Sequence, residues 1–193
     1  MSATQDPPLR VDWLEAGDLH DGIAGRLGLT FLPGKRGPSQ RYPGRVYRRE
    51  LGADLHTLVG TGVGSLVLLV EDSELERWGD LEIVARGAEA GIAVDRRPFP
   101  DGTAPSTAAV MDEILDAVRR ARERTDVAIA CMGGVGRTGT VAACALVRAG
   151  WSAEAAIRRV RAVRHPTAVE TIEQIAFVQA YERHVADVRR GAG

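Results

Sequence analysis

An α/β fold, with a central, mostly parallel sheet flanked by helices on both faces, is what this sequence predicts, and three observations carry the prediction. Apolar runs of strand length alternate with stretches of helical spacing along most of the chain. The run Leu66-Val67-Leu68-Leu69-Val70 is apolar at every position, as a strand buried on both faces requires. The strand-like Val127-Ala128-Ile129-Ala130 then leads through a glycine-rich turn into residues 138–149, apolar on nearly every face, which describes a helix buried mid-domain.

Taken in order, residues 1–10, with Asp6-Pro7-Pro8, read as a flexible lead-in, and residues 11–190 as a single domain. Short apolar segments at Val11 to Leu14 and Leu27 to Leu32 suit strands. Pro33 to Arg45 holds three prolines and three glycines among basic residues, and reads as an exposed, solvated loop. Helical spacing starts near Val46 and runs to Val59. After the 66–70 strand come helices at about 72–78 and 80–90, ending at Gly91, and then a short strand at Ile92-Ala93-Val94. Residues 97–105 form a loop. A helix at about 106–124 places Val110, Met111, Ile114, Leu115 and Val118 on one face, and helices at about 152–164 and 170–190 follow the buried one. No internal repeat is present.

Composition narrows the function. The chain has 193 residues, 45% apolar and 26% charged, which suits one ordinary globular domain. A formal charge of −1 argues against nucleic-acid or membrane partners, both of which need a concentrated basic face. No leader follows Met1 and no apolar run is long enough for a membrane span, so a cytoplasmic location is expected. Lys35 is the only lysine, and the wealth of Arg, Ala and Gly points to a GC-rich bacterial source. Two cysteines are no disulfide framework; one set among glycines in a reducing compartment reads as catalytic.

That cysteine is Cys131, in Cys-Met-Gly-Gly-Val-Gly-Arg-Thr-Gly at 131–139. A cysteine and an arginine separated by five residues, between a strand and a helix, have the shape of an anion cradle. Amides of Met132, Gly133, Gly134, Val135 and Gly136 can all turn inward, and the following helix adds its positive end. The three glycines tolerate backbone angles that strain other residues. Arg137 supplies a planar fork for two phosphate oxygens, and the same field favours the thiolate of Cys131. The bland alternative is a buried cysteine before an ordinary glycine turn.

These residues resemble the phosphate loop of the protein tyrosine phosphatase superfamily, His-Cys-x5-Arg followed by Ser or Thr, with Ala130 in place of the His. The resemblance is closest to the kinase-associated phosphatase branch of the dual-specificity enzymes and spans Gly28 to Val185. Phe31-Leu32-Pro33-Gly34, Pro98-Phe99-Pro100-Asp101-Gly102, Val141-Ala142-Ala143-Cys144 and Thr171-Ile172-Glu173-Gln174 support it. It implies a protein tyrosine phosphatase-like fold and a cysteine-dependent phosphomonoester hydrolase working through phosphocysteine.

By the same resemblance Asp101 is the general acid, on a mobile loop in which Phe99 replaces the family's Trp. Asp95 competes but falls at the end of a strand, and Asp101 as a plain turn residue before Gly102 remains the other reading. Thr138 is expected to donate its hydroxyl to the Cys131 sulfur, or else to cap the next helix. Glu170 and Gln174 stand where the family positions water; the alternative is surface helix positions. The missing His implies a less readily ionised Cys131 than is usual in the family.

Cys144 reads as core. Arg158, Arg159, Arg161 and Arg164 read as a solvated helix face, one of them free to bind a substrate phosphate. The four histidines show no metal-ligand spacing, so neither metal nor cofactor is expected. The apolar Met132 and Val135 favour a monophosphate. Substrates are then a phosphorylated protein or a small phosphomonoester. A phosphopeptide-binding pseudophosphatase and a small-molecule phosphatase of the same fold are the rival readings.

Overall fold

The computed structural model describes residues 6–39 and 41–191. A five-stranded sheet with the order β1-β2-β7-β5-β6 forms its centre. In chain order the elements begin with β1 (Asp12–Trp13), the short helix α1 (Ala16–Leu19) and β2 (Leu27–Phe31). A two-stranded hairpin follows, β3 (Arg36–Pro38) and β4 (Val46–Arg48), and then α2 (Leu51–Gly60) and β5 (Val63–Leu68). Helices α3 (Asp72–Trp78) and α4 (Ile83–Glu89) lead to β6 (Ala93–Arg96), α5 (Ala108–Arg122) and β7 (Asp126–Cys131). The chain closes with α6 (Gly136–Arg148), α7 (Ala153–Val163) and α8 (Ile172–Gly191).

Strands β2, β7, β5 and β6 run parallel, and only the edge strand β1 is antiparallel. Helices link the parallel neighbours and cover the sheet, so the strands carry apolar side chains on both faces, and Leu66 to Val70 are buried. Helix α5 shows how sequence becomes packing. Thr107 caps it, its hydroxyl accepting from the Val110 amide at 3.2 Å, which contributes about 1 kcal/mol. Met111, Ile114, Leu115 and Val118 recur at helical spacing and all go into the core, each stabilising by roughly 1.5–3 kcal/mol. Val110, expected on that face, is exposed. Helix α6 is buried along most of its length, as its composition requires.

Two segments depart from the sequence reading. Residues 46–48 form a strand and not the start of a helix: Val46 and Arg48 are exposed while Tyr47 is buried, an alternation of period two, and Tyr47 pairs with Gly37. The helix begins at Leu51. The described residues of 33–45 are therefore not a plain solvated loop but most of a hairpin laid against the domain. Gly37 holds φ +85°, and a Cβ there would lie 2.6 Å from the Trp78 ring.

Residues 1–5 of the expected flexible lead-in lie outside the described residues. Residues 6–10 are fastened down. Leu9 is buried in the core, the Pro7 carbonyl accepts from Arg49 at 2.8 Å, and Asp6 accepts from the Arg48 amide at 2.8 Å. No helix among the described residues is long and apolar enough to cross a membrane.

Candidate active site

The central strand β7 delivers Cys131 to the carboxyl end of the sheet, where open α/β sheets place their ligand sites. The chain turns through Met132 to Val135, and α6 starts at Gly136. Cys131 is buried, and the Gly134 amide donates to its sulfur at 3.2 Å. Of the three turn glycines only Gly134 has a positive φ, +65°, and a Cβ there would sit 2.2 Å from the Thr30 carbonyl oxygen. A Cβ at Gly133 would meet open space. Gly136 instead makes room for the ends of the Glu170 and Gln174 side chains.

Arg137 is wholly buried. Its Nη2 donates to Glu74 Oε1 at 2.6 Å and its Nη1 to Glu74 Oε2 at 2.7 Å. Nη1 also donates to the carbonyls of Leu69 at 3.1 Å and Phe99 at 3.0 Å. Burial opposes the guanidinium charge, yet the hydrogen bonds to Glu74 and the charges of Cys131, Glu74 and Asp101 raise its proton affinity. It stays charged at any working pH. Glu74 is the residue that sequence reasoning missed. Locally it looks like a capping-box member at the start of α3, and it does accept from the Glu71 amide at 2.8 Å. Nothing nearby in sequence says that its carboxylate also holds an arginine 63 positions later.

Asp101 lies in the turn after Phe99-Pro100, with its carboxylate largely exposed and Oδ1 3.0 Å from Arg137 Nη2. Phe99 anchors the segment in the core. Two residues of the α8 entry strap the turn: Thr171 Oγ1 donates to the Gly102 carbonyl at 2.9 Å, and Gln174 Nε2 to the Thr103 carbonyl at 3.0 Å. Gln174 is therefore no surface residue; it is fully buried, and its Oε1 accepts from the Glu170 amide at 2.9 Å. Glu170 pairs with Arg41 and borders the cavity. Just before it, Val169 holds φ +61°, uncommon for a β-branched residue, while its amide donates to the Val135 carbonyl at 3.3 Å.

Asp95, the competing acid, is on β6 and bound to Arg97 at 3.0 Å. Thr138 lies inside α6, buried, and its hydroxyl makes no hydrogen bond among the described residues; nor does Arg137 Nε. Cys144 is wholly buried in the same helix, and desolvation pushes its thiol well above the ordinary range. It is core, as expected.

Helix α7 and its end do not form the solvated arginine face that was expected. Only Arg158 keeps to that description, pairing with Glu154 on the surface. Arg159 binds Asp18, and Arg161 donates to the Ala168 carbonyl at 3.0 Å. Arg164 is the important exception: its Nε donates to the Gly134 carbonyl at 2.8 Å and Nη1 pairs with Asp12 at 2.6 Å. It braces the cysteine turn from behind. Among the described residues no group of His, Cys, Asp or Glu side chains is placed to hold a metal ion.

Above the cradle opens a cavity of about 630 Å³, walled by Phe31, Lys35, Tyr47 and Trp78 and floored by Cys131 and Met132. A mostly parallel sheet whose central strand ends in such a cysteine, with a buried arginine six residues on, defines a phosphatase of the protein tyrosine phosphatase fold. The chain belongs to the family described as "Polymorphic toxin system, DSP-PTPase phosphatase", which matches residues 45–151.

Relatives agree with that assignment. Cyclin-dependent kinase inhibitor 3 of Rattus norvegicus is 26% identical over 187 residues, covering 94% of this chain and 82% of that protein. The crystal structure of kinase associated phosphatase with its catalytic-site cysteine changed to serine superposes with a TM-score of 0.81 at 25% identity, covering 94% of this chain and 98% of the other. The active form of Tk-PTP gives 0.64 at 33% identity, covering 83% and 94%. The chain is thus a dual-specificity type of protein phosphatase with the predicted α/β fold, similar to the kinase-associated branch.

Proposed function

We propose that the protein hydrolyses phosphomonoesters on proteins through a phosphocysteine on Cys131. The observation that carries the reading is convergence: the clamp Arg137 lies 3.0 Å from Asp101 beside the loop that holds the Cys131 sulfur. The cradle amides and Arg137 hold the three non-bridging oxygens. The sulfur attacks phosphorus, the phosphorus–oxygen bond to the leaving group breaks, and Asp101 delivers its proton to that oxygen. Water then attacks phosphorus, Asp101 takes its proton, and phosphate leaves as the sulfur regains its electron pair. Thr138, whose buried hydroxyl has no partner among the described residues, donates to the departing sulfur. Glu170 orients the water, with Gln174 fixing the turn that presents Asp101.

Cys131→Ser tests the reading. Serine is hardly ionised near neutral pH, whereas the cradle is made of backbone, so turnover of p-nitrophenyl phosphate is expected to vanish while vanadate or substrate binding persists. Near-normal turnover in that variant refutes the mechanism.

A further inference from the structure

The hairpin that walls the cavity brings in more positive charge than removal of one phosphate requires. Outside the cradle six cationic side chains line the cavity: Arg10, Lys35, Arg41, Arg45, Arg49 and Arg164. Arg41 pairs with Glu170, Arg49 with Asp54 at 2.6 Å, and Arg45 more loosely with Asp6 at 3.8 Å. Asp12 is shared, 2.6 Å from both Arg10 and Arg164. Among the described residues, no carboxylate lies within ion-pair distance of Lys35.

Lys35 is only 8% exposed. Its ammonium donates to the Met132 carbonyl at 3.2 Å and sits 4.4 Å from the centre of the Tyr47 ring, which Arg45 also covers at 4.7 Å. Burial, and then the like charges of Arg41 and Arg45, lower its proton affinity, while Cys131 and Asp101 oppose that. A buried ammonium that shares the Tyr47 ring with the Arg45 guanidinium is costly until an anion meets it. The scissile phosphate has its own partners in the cradle amides and Arg137, and the cavity of about 630 Å³ has room for more than one phosphate.

We infer that Lys35, Tyr47 and Arg45 form a second anion subsite, so that the preferred substrate is a phosphorylated peptide segment carrying another acidic group close to the phosphate that is removed. This rests on the phosphatase reading above. The family is one of protein phosphatases, which favours a peptide over a lipid as the carrier.

The test compares kcat/KM for phosphopeptides that are identical except for Ala, Glu or a non-hydrolysable phosphonate analogue of phosphoserine next to the phosphorylated residue, with p-nitrophenyl phosphate run in parallel. Acidic neighbours are expected to raise kcat/KM about three- to tenfold at low salt, mainly through KM, with the preference fading as salt rises. Lys35→Gln and Arg45→Gln are each expected to bring the preference towards one; Arg45 lies on the rim, so its variant remains informative if the Lys35 variant folds poorly. Three results overturn the inference while p-nitrophenyl phosphate is still hydrolysed: no preference in the parent protein, an intact preference in both variants, or phosphoinositide vesicles consumed ahead of every peptide. Loss of all hydrolysis, p-nitrophenyl phosphate included, overturns the phosphatase reading and this inference with it.

Discussion

Glu74 and Arg137 meet as a two-point fork, Oε1 accepting from Nη2 at 2.6 Å and Oε2 from Nη1 at 2.7 Å, with the guanidinium wholly out of solvent. The fork fixes the plane of the Arg137 guanidinium, so on the proposed mechanism it sets phosphate recognition from outside the phosphate loop. Glu74→Gln keeps the shape but one acceptor fewer, and is expected to lower kcat/KM by about 10- to 100-fold and weaken vanadate inhibition in parallel. Glu74→Ala removes two charge-assisted hydrogen bonds and leaves Arg137 with Asp101 and the carbonyls of Leu69 and Phe99, and is expected to cost about 1.5–3 kcal/mol in urea unfolding. Full activity in both variants refutes the positioning role.

Asp101 and Asp95 are six positions apart in the chain, yet only Asp101 approaches Arg137; Asp95 is held by Arg97. Asp101→Asn is expected to reduce kcat by about 10²–10⁴ on phosphopeptides, and less on p-nitrophenyl phosphate, whose leaving group needs little protonation. Asp95→Asn is expected to change little. Steady-state kinetics on both substrates check the assignment, and the reverse ranking sinks it.

Gln174 ties the acid turn to α8 through the Thr103 carbonyl at 3.0 Å. Gln174→Ala frees that carbonyl and the Glu170 amide, at a stability cost of about 1–3 kcal/mol. As a positioning change it is expected to slow poor leaving groups more than good ones, with KM little altered. A uniform loss on all substrates would mean that Gln174 only stabilises the fold.

Asp126 joins the start of β7 to Arg26, accepting from its amide at 2.6 Å and from its Nη2 at 2.6 Å. Burial works to raise this carboxyl, but the Arg26 bonds outweigh it and hold the group below the ordinary carboxylate range. A depressed folded value gives stability that is present above the ordinary value and lost as pH falls through the folded one. Asp126→Asn is therefore expected to lower the urea midpoint at about pH 7, with the gap to the parent protein narrowing as the pH falls below the ordinary carboxylate range. A gap independent of pH would remove the ionic explanation.

The sequence by itself determined the alternation of strands and helices, because the period of apolar residues is written locally. It determined the shape of the cysteine turn for the same reason: a strand, a short glycine turn and a helix fix the course of residues 131–137 within one continuous stretch. Only the tertiary structure decided what surrounds that turn. Glu74 reaches Arg137 because the sheet order sets β5 beside β7, which carries α3 to the mouth of the cradle. The basic segment at 33–45 reads locally as solvated loop, and becomes the cavity wall only when Tyr47 finds Gly37 across a hairpin and Gly37 settles on Trp78. Arg164, just past the end of α7, and Gln174, in the first turn of α8, read locally as outside, yet one grips the Gly134 carbonyl and the other the Thr103 carbonyl. Backbone course is governed by neighbours within a few residues, whereas the partner of a long polar side chain is chosen by whichever distant element the packed sheet brings within hydrogen-bond reach.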